Sequence, residues 1–350
     1  MSTSTENKSV DTRAVPAPPL WKRVLKTRAT AVLILDLILF VIFTLTSPDH
    51  VFATSESLKA LFIAATEALL LAVGLTLLLG AGIFDLSLGA NLVLSSVAGA
   101  MVIKHISPAS KDFSQWNHVG QSTALAVIVC ILTGAAFGAV NGLLVAYVRI
   151  NALIATLATL GIGTGIAYVM TSGSDISGLP PVLQEKFGLH AIGAFPIPAL
   201  IAIGATLILF IVMRFTRFGM RTLAIGSSEI SATRAGIGVP SHLMKLTILA
   251  GALAGVAGFI DITRFASTAI SGHSNDALNA VTAAVIGGTL LEGGRVSMLG
   301  TIWGTGLAVI VQSGLIIAGV SSYYQLIAVG VILVLAVSLD RISSAKRAGK

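Results

Sequence analysis

VSMLGTIWGTGLAVIVQSGLIIAGVSSYYQLIAVGVILVLAVSL fills residues 296–339, and none of its 44 positions is Asp, Glu, Lys or Arg. One helix crossing a bilayer needs about 20 apolar residues. The run therefore reads as two spans joined by a tight turn at Ala318-Gly319-Val320-Ser321-Ser322. Another 25 uncharged residues separate Arg149 from Asp175, enough for one more span. Composition agrees: 55% of the 350 residues are hydrophobic and 11% charged, against roughly 25% charged in a soluble domain. Mean hydropathy is +0.93.

Working outward from that run predicts an all-α protein, a polytopic transmembrane helical bundle of about ten spans. They fall near 29–46, 60–83, 86–103, 122–146, 150–171, 194–213, 243–262, 277–291, 296–318 and 323–339. The segments 86–103 and 277–291 are short and Gly-rich, and read as half-helices or re-entrant elements, which membranes tolerate only inside protein. Residues 1–28 form a polar, basic arm with the composition of disorder. Its end, W-K-R-V-L-K-T-R at 21–28, reads as an interfacial anchor. A signal peptide is the weaker alternative: the run 29–46 is long for one and carries Asp36. Residues 29–340 make the transmembrane domain, and 341–350 a basic tail.

Charge sets the orientation. With ten crossings and a cytosolic N-terminus, 17 of the 22 Lys and Arg lie inside, in the arm, at Arg149, in the 214–245 loop, at Arg295 and in the tail. Lys59, Lys104, Lys111, Lys186 and Arg264 lie outside. This positive-inside split predicts both termini in the cytosol of a bacterial cell membrane. It also explains the net charge of +7 through topology and anionic lipid, without a nucleic-acid partner. The Gly pairs 134/138, 161/165, 251/255 and 300/304 have the spacing that lets helices approach closely in lipid. Cys130, the one cysteine, excludes an intramolecular disulfide and a Cys-rich metal site, and reads as a packing residue.

Two stretches carry more. Gly82-Ile83-Phe84-Asp85-Leu86-Ser87-Leu88-Gly89 sets a carboxylate in apolar sequence, where it needs partners. Asp85 and Ser87 suit the cap of the next helix, in a break at or near the cytosolic face. The alternative is a solute ligand. In the loop 214–242, residues 228–235 suit a short helix with Ser228 as cap and Gly236 as stop. Such a helix is a docking piece for a soluble partner or simply a solvated loop. No Gly-x-x-x-x-Gly-Lys-Ser/Thr, His-Glu-x-x-His or Ser nucleophile elbow occurs. No catalytic residue, metal site or cofactor is expected in this chain.

These stretches resemble a family. Gly82–Gly89 is similar to the Gly-Gly-Ile-Asp-Leu-Ser-Val-Gly segment of permease subunits of the ribose-type branch of ABC transporters, with Ile83 in place of the second Gly. Asn141-Gly142-Leu143-Leu144-Val145, Ile154-Ala155-Thr156-Leu157, Gly287-Gly288-Thr289, Gly293-Gly294, Leu299-Gly300-Thr301 and Tyr324-Gln325-Leu326 match further segments. Residues 224–237 resemble its cytosolic coupling loop, with Ile230 in place of the second Glu and Ser231 in place of the first Ala. The likeness covers roughly 60–340. It implies a pore-forming subunit, not an enzyme, that moves a monosaccharide such as ribose into the cell. It implies cytosolic ATPase subunits, an extracytoplasmic solute-binding protein and a permease homodimer. Gly226, Ser228, Glu229, Ala232, Gly236 and Ile237 would couple to the ATPase. Asp85, Ser87, Gly89, Asn141 and Thr156 are the motif and pathway candidates. Glu292 and Arg295 are placed to pair as i,i+3 neighbours.

Other polar residues in spans are Asp36, Glu67, Asn141, Gln312 and Gln325, which line a path or tie helices together. Asp261, Arg264, His273 and Asp276 fall around an outer loop where a binding protein would dock, and read residue by residue as solvated. The competing function is a secondary transporter driven by an ion gradient, with Asp36, Glu67 and Asp85 as ion sites. A membrane-embedded enzyme would need a catalytic constellation that is absent.

Overall fold

The structure, a computed structural model, describes residues 28–108, 116–321, 323–325, 327, 330–331 and 334. Eleven α-helices with both ends described run through residues 28–317: α1 Arg28–Thr46, α2 Ser55–Gly80, α3 Leu88–Ile106, α4 Val119–Gly142, α5 Ala152–Thr171 and α6 Ile197–Phe215. Next come α7 Arg217–Ser227, α8 Glu229–Arg234, α9 Val239–Phe265, α10 Asp276–Ile286 and α11 Met298–Ile317. The all-α expectation holds: the described strands are one two-residue hairpin, Ala191–Ile192 with Phe195–Pro196. Eight helices are long and apolar enough to span a bilayer, with α4 continuing through a wide turn to Tyr147. The tenth expected span, 323–339, falls mostly outside the described residues, as do most of the arm and the tail.

Helix boundaries follow local chemistry. The Thr54 hydroxyl accepts from Ser57 N at 3.3 Å to start α2. At its other end Gly82 N–H donates to Leu79 O and Ile83 N–H to Leu78 O, with Gly82 at φ +77. That paired closure needs a left-handed residue, which glycine adopts at little cost. The turn read at 318–322 closes α11 the same way, with Gly319 bonding Ile316 and Val320 bonding Leu315. The expectation for 86–103 needs correcting. α3 is a 19-residue helix, about 28 Å long, because no proline lies between Leu88 and Ile106 and Gly89 and Gly99 do not interrupt it. The expectation for 277–291 holds: α10 has 11 residues, about 16 Å.

Packing radiates from α9, whose broadest contact is with α4, followed by α3 and α2. At the α4–α9 crossing a Cβ on Gly134 would strike the Gly251 carbonyl, and one on Gly255 the Cys130 carbonyl. Backbone meets backbone, as small residues permit in lipid. Gly300 and Gly304 do the same between α11 and α10. Gly161 and Gly165 meet nothing within 4 Å, so their spacing does not pack α5 within this chain. Cys130 is buried and its thiol donates to Ser95 O at 3.2 Å, the packing role expected of it.

Two helices begin inside the bundle. Gly163, well into α5, faces Ala90 in the first turn of α3. A Cβ on Gly89 would lie 2.8 Å from the His273 carbonyl and 3.8 Å from Asp276 Cβ. The starts of α3 and α10 therefore sit beside one another at the depth of mid-α5.

Candidate functional site

Two places gather the residues singled out from sequence. The first is the break between α2 and α3. Asp85 Oδ1 accepts from Ser87 N at 2.7 Å and from Ser87 Oγ at 2.6 Å. Asn141 Nδ2, on the last turn of α4, donates to Ser87 Oγ at 2.7 Å and to Asp85 Oδ2 at 3.3 Å. Leu86 N–H donates to Thr156 Oγ1 at 3.3 Å. Asp85, Ser87, Asn141 and Thr156 are all nearly fully buried. Four of the five pathway candidates thus form one network that fastens the break to α4 and α5. The capping expectation needs amending. The carboxylate serves the Ser87 N–H and hydroxyl, and Ser87 makes no side-chain bond to the first turn of α3. With its oxygens taken up by Ser87 and Asn141, Asp85 is a fastener. Gly89 stands apart and seats the His273 segment instead.

The second place is α8. Its cap is as expected: Ser228 Oγ accepts from Ser231 N at 3.2 Å. At the far end Gly236, at φ +79, bonds Thr233 O, and Ile237 bonds Ala232 O at 3.1 Å. Both ends of a six-residue helix are closed, which holds a piece too short to persist by itself. Ala232 is buried beneath it, while Ser228, Glu229, Ile230, Ser231, Thr233 and Arg234 are exposed. Gly226, just before, has no room for a Cβ, which would strike the Gly80 carbonyl and the Gly294 amide. Gly294 N–H donates to Gly80 O at 3.1 Å. The base of this helix pair thus rests, backbone on backbone, on the end of α2 and on the turn joining α10 to α11. Glu292 and Arg295 lie in that turn and make no ion pair with each other. The segment is not helical, so i,i+3 spacing does not bring them together.

Sequence reading missed a third feature. His273 Nδ1 lies 2.7 Å from Asp276 Oδ2, and Nε2 lies 3.2 Å from Asp261 Oδ1. The ring is thus held between two carboxyl groups, one facing each nitrogen. Asp261 is fully buried on α9 and His273 is 8% exposed, so this is no solvated loop. Arg264 reaches back to Glu67 on α2 at 3.4 Å. The signal available was the spacing Asp261, Arg264, Asp276 on either side of a Gly-Ser-rich segment. Its closure is a tertiary event. Of the remaining polar residues, Gln325 donates to Val320 O at 3.0 Å and Gln312 is exposed. Asp36 is buried against Gly306, its oxygens without a hydrogen-bond partner among the described residues.

Residues 57–337 match the family described as branched-chain amino acid transport system / permease component. The chain belongs to this permease family. A ribose import permease of Bacillus subtilis is 36% identical over 279 residues, covering 79% of this chain and 82% of its own length. A D-allose transport system permease of Escherichia coli is 30% identical, covering 88% and 90%. A galactose/methyl galactoside import permease of the same organism is 28% identical, covering 92% and 96%. No solved structure matches. The permease fits its helices: a polytopic integral membrane protein with a short exposed helix on one face.

Proposed function

We propose that this permease is the pore-forming subunit of an ATP-driven importer of a monosaccharide. It takes the sugar from an extracytoplasmic binding protein and passes it into the cytoplasm. The relatives' printed roles in ribose, allose and galactose import support the solute class. The observation that carries the coupling mechanism is α8, exposed, capped at both ends and seated on a glycine junction. A soluble ATPase that grips Glu229, Ile230 and Arg234 pushes on that junction. The junction moves the end of α2 and the 287–295 turn, and through the turn α10. Two copies of the chain enclose the path, with N- and C-termini in the cytosol. Nucleotide binding and sugar release then bias two packings of one bundle. Two of the three sites of the ion-driven alternative are already engaged, Asp85 with Ser87 and Asn141 and Glu67 with Arg264, which leaves it Asp36.

The test is reconstitution of the permease with its ATPase and binding protein in proteoliposomes, with radiolabelled ribose, allose and galactose. Uptake is expected to need internal ATP and to survive ionophores. A photo-crosslinker at Ile230, 68% exposed, is expected to capture the ATPase subunit. Uptake that persists without the ATPase and collapses with the ion gradient sinks the reading.

A further inference from the structure

A cavity of about 310 Å³ lies where α3, α5 and the 270–277 segment meet. That falls within the roughly 300–1,000 Å³ range of small-molecule sites. Its polar wall is made of hydroxyls: Thr164 and Tyr168 of α5, and Ser271 and Ser274 of the segment before α10. Among the described residues none of these four side-chain hydroxyls has a hydrogen-bond partner. Within α5 this sets Thr164 apart, because Thr156, Thr159 and Thr171 each bond to a carbonyl of an earlier turn. Leu86 and Val93 supply apolar wall opposite.

Apart from His273 the cavity wall carries no Asp, Glu, Lys or Arg. His273 is its one titratable wall residue apart from the tyrosine, and both its ring nitrogens are committed to Asp261 and Asp276. A zwitterion such as an amino acid would lose its hydration here without gaining an ion-pair partner. A polyol would find free hydroxyls for its own and apolar wall for its C–H faces. Irregular backbone at this depth is tolerated where it lines a cavity, and the starts of α3 and α10 do so.

We propose that this cavity is a passage subsite for a neutral, polyhydroxylated solute of monosaccharide size, with Thr164, Tyr168, Ser271 and Ser274 as its hydrogen-bonding groups. This rests on the sugar-importer reading above. His273, clamped by Asp261 and Asp276, holds the 270–277 segment in place and makes no bond to the solute.

The experiment uses the complete transporter in proteoliposomes with radiolabelled ribose, allose and galactose. Thr164→Val, Tyr168→Phe, Ser271→Ala and Ser274→Ala are each expected to lower the maximal uptake rate about threefold to tenfold, the weight of one hydrogen bond. The binding-protein concentration for half-maximal uptake should hold, since docking happens elsewhere. A second readout needs no turnover. In a Cys130→Ala background, Thr164→Cys, or Ser271→Cys should the first fold poorly, is modified by a maleimide. The transported sugar at millimolar concentration is expected to slow modification, and leucine to leave it unchanged. Wild-type uptake in all four variants, or modification indifferent to sugar, overturns the subsite. Protection by leucine overturns the neutral class. An unsubstituted transporter that moves none of the three sugars overturns the importer reading itself, and the subsite with it.

Discussion

α1 and α3 are both 19 residues long. Yet α1, with a mean hydropathy of 2.5, is 11% buried in the chain, and α3, at 1.3, is 67% buried. Nor does hydropathy separate α5 from α9: at 1.8 and 1.9 they are nearly equal, yet α5 is 28% buried and α9 67%. In water the more apolar helix goes inside. In lipid, hydrocarbon tails satisfy Leu and Ile as well as protein does, so apolar content no longer sorts helices. Close backbone approach and polar bonding sort them instead. α3 carries Asn91, Ser95 and Ser96, all buried, and α9 carries Gly251, Gly255 and Asp261. α1 offers mostly exposed Leu, Ile and Val.

The sharpest way to break this comparison is to add the same side chain to both regions. Gly134→Leu puts bulk on the Gly251 carbonyl at the α4–α9 crossing, and is expected to cost about 3 kcal/mol or more. It should show as loss of a monodisperse peak and a lower Tm in detergent. Gly161→Leu on α5, where nothing lies within 4 Å, is expected to leave Tm unchanged. Equal losses would refute the distinction. A step down in size is Asn141→Ala, which strips Asp85 and Ser87 of their shared donor. Leaving that buried carboxylate short of a partner is expected to cost about 2 kcal/mol. An Asp85→Ala cycle should return most of it as coupling energy. The smallest effect belongs to Thr76→Val, which removes a 2.8 Å hydroxyl pair with Thr301 between α2 and α11. About 0.6 kcal/mol is expected, against no change for Thr123→Val, whose hydroxyl among the described residues bonds only its own helix, at Val119 O.

Much of α8 was legible in sequence, because caps are local. Ser228 three residues before Ser231, and Gly236 before Ile237, specify both ends of α8 within nine residues. The network at Asp85 was half legible. A carboxylate in apolar sequence announces that partners exist, but it names none. Asn141 lies 56 residues away, and its amide meets Asp85 because α4 packs along α3. The pairing of Glu292 with Arg295 failed for the converse reason: i,i+3 spacing brings side chains together only on a helix, and here the chain turns.

By itself the sequence determined that the chain is all-α and membrane-embedded, since long uncharged runs permit nothing else in a bilayer. It also determined where helices stop and which short helix stands exposed, since those are decided by residues a few positions apart. Tertiary structure alone decided which helices lie inside, that His273 is clamped between Asp261 and Asp276, and that Thr164 and Ser274 share a cavity. These depend on which helix surfaces come within contact distance. In lipid, hydropathy does not choose among them; small residues and distant polar partners do, and their pairing exists only once the chain has packed.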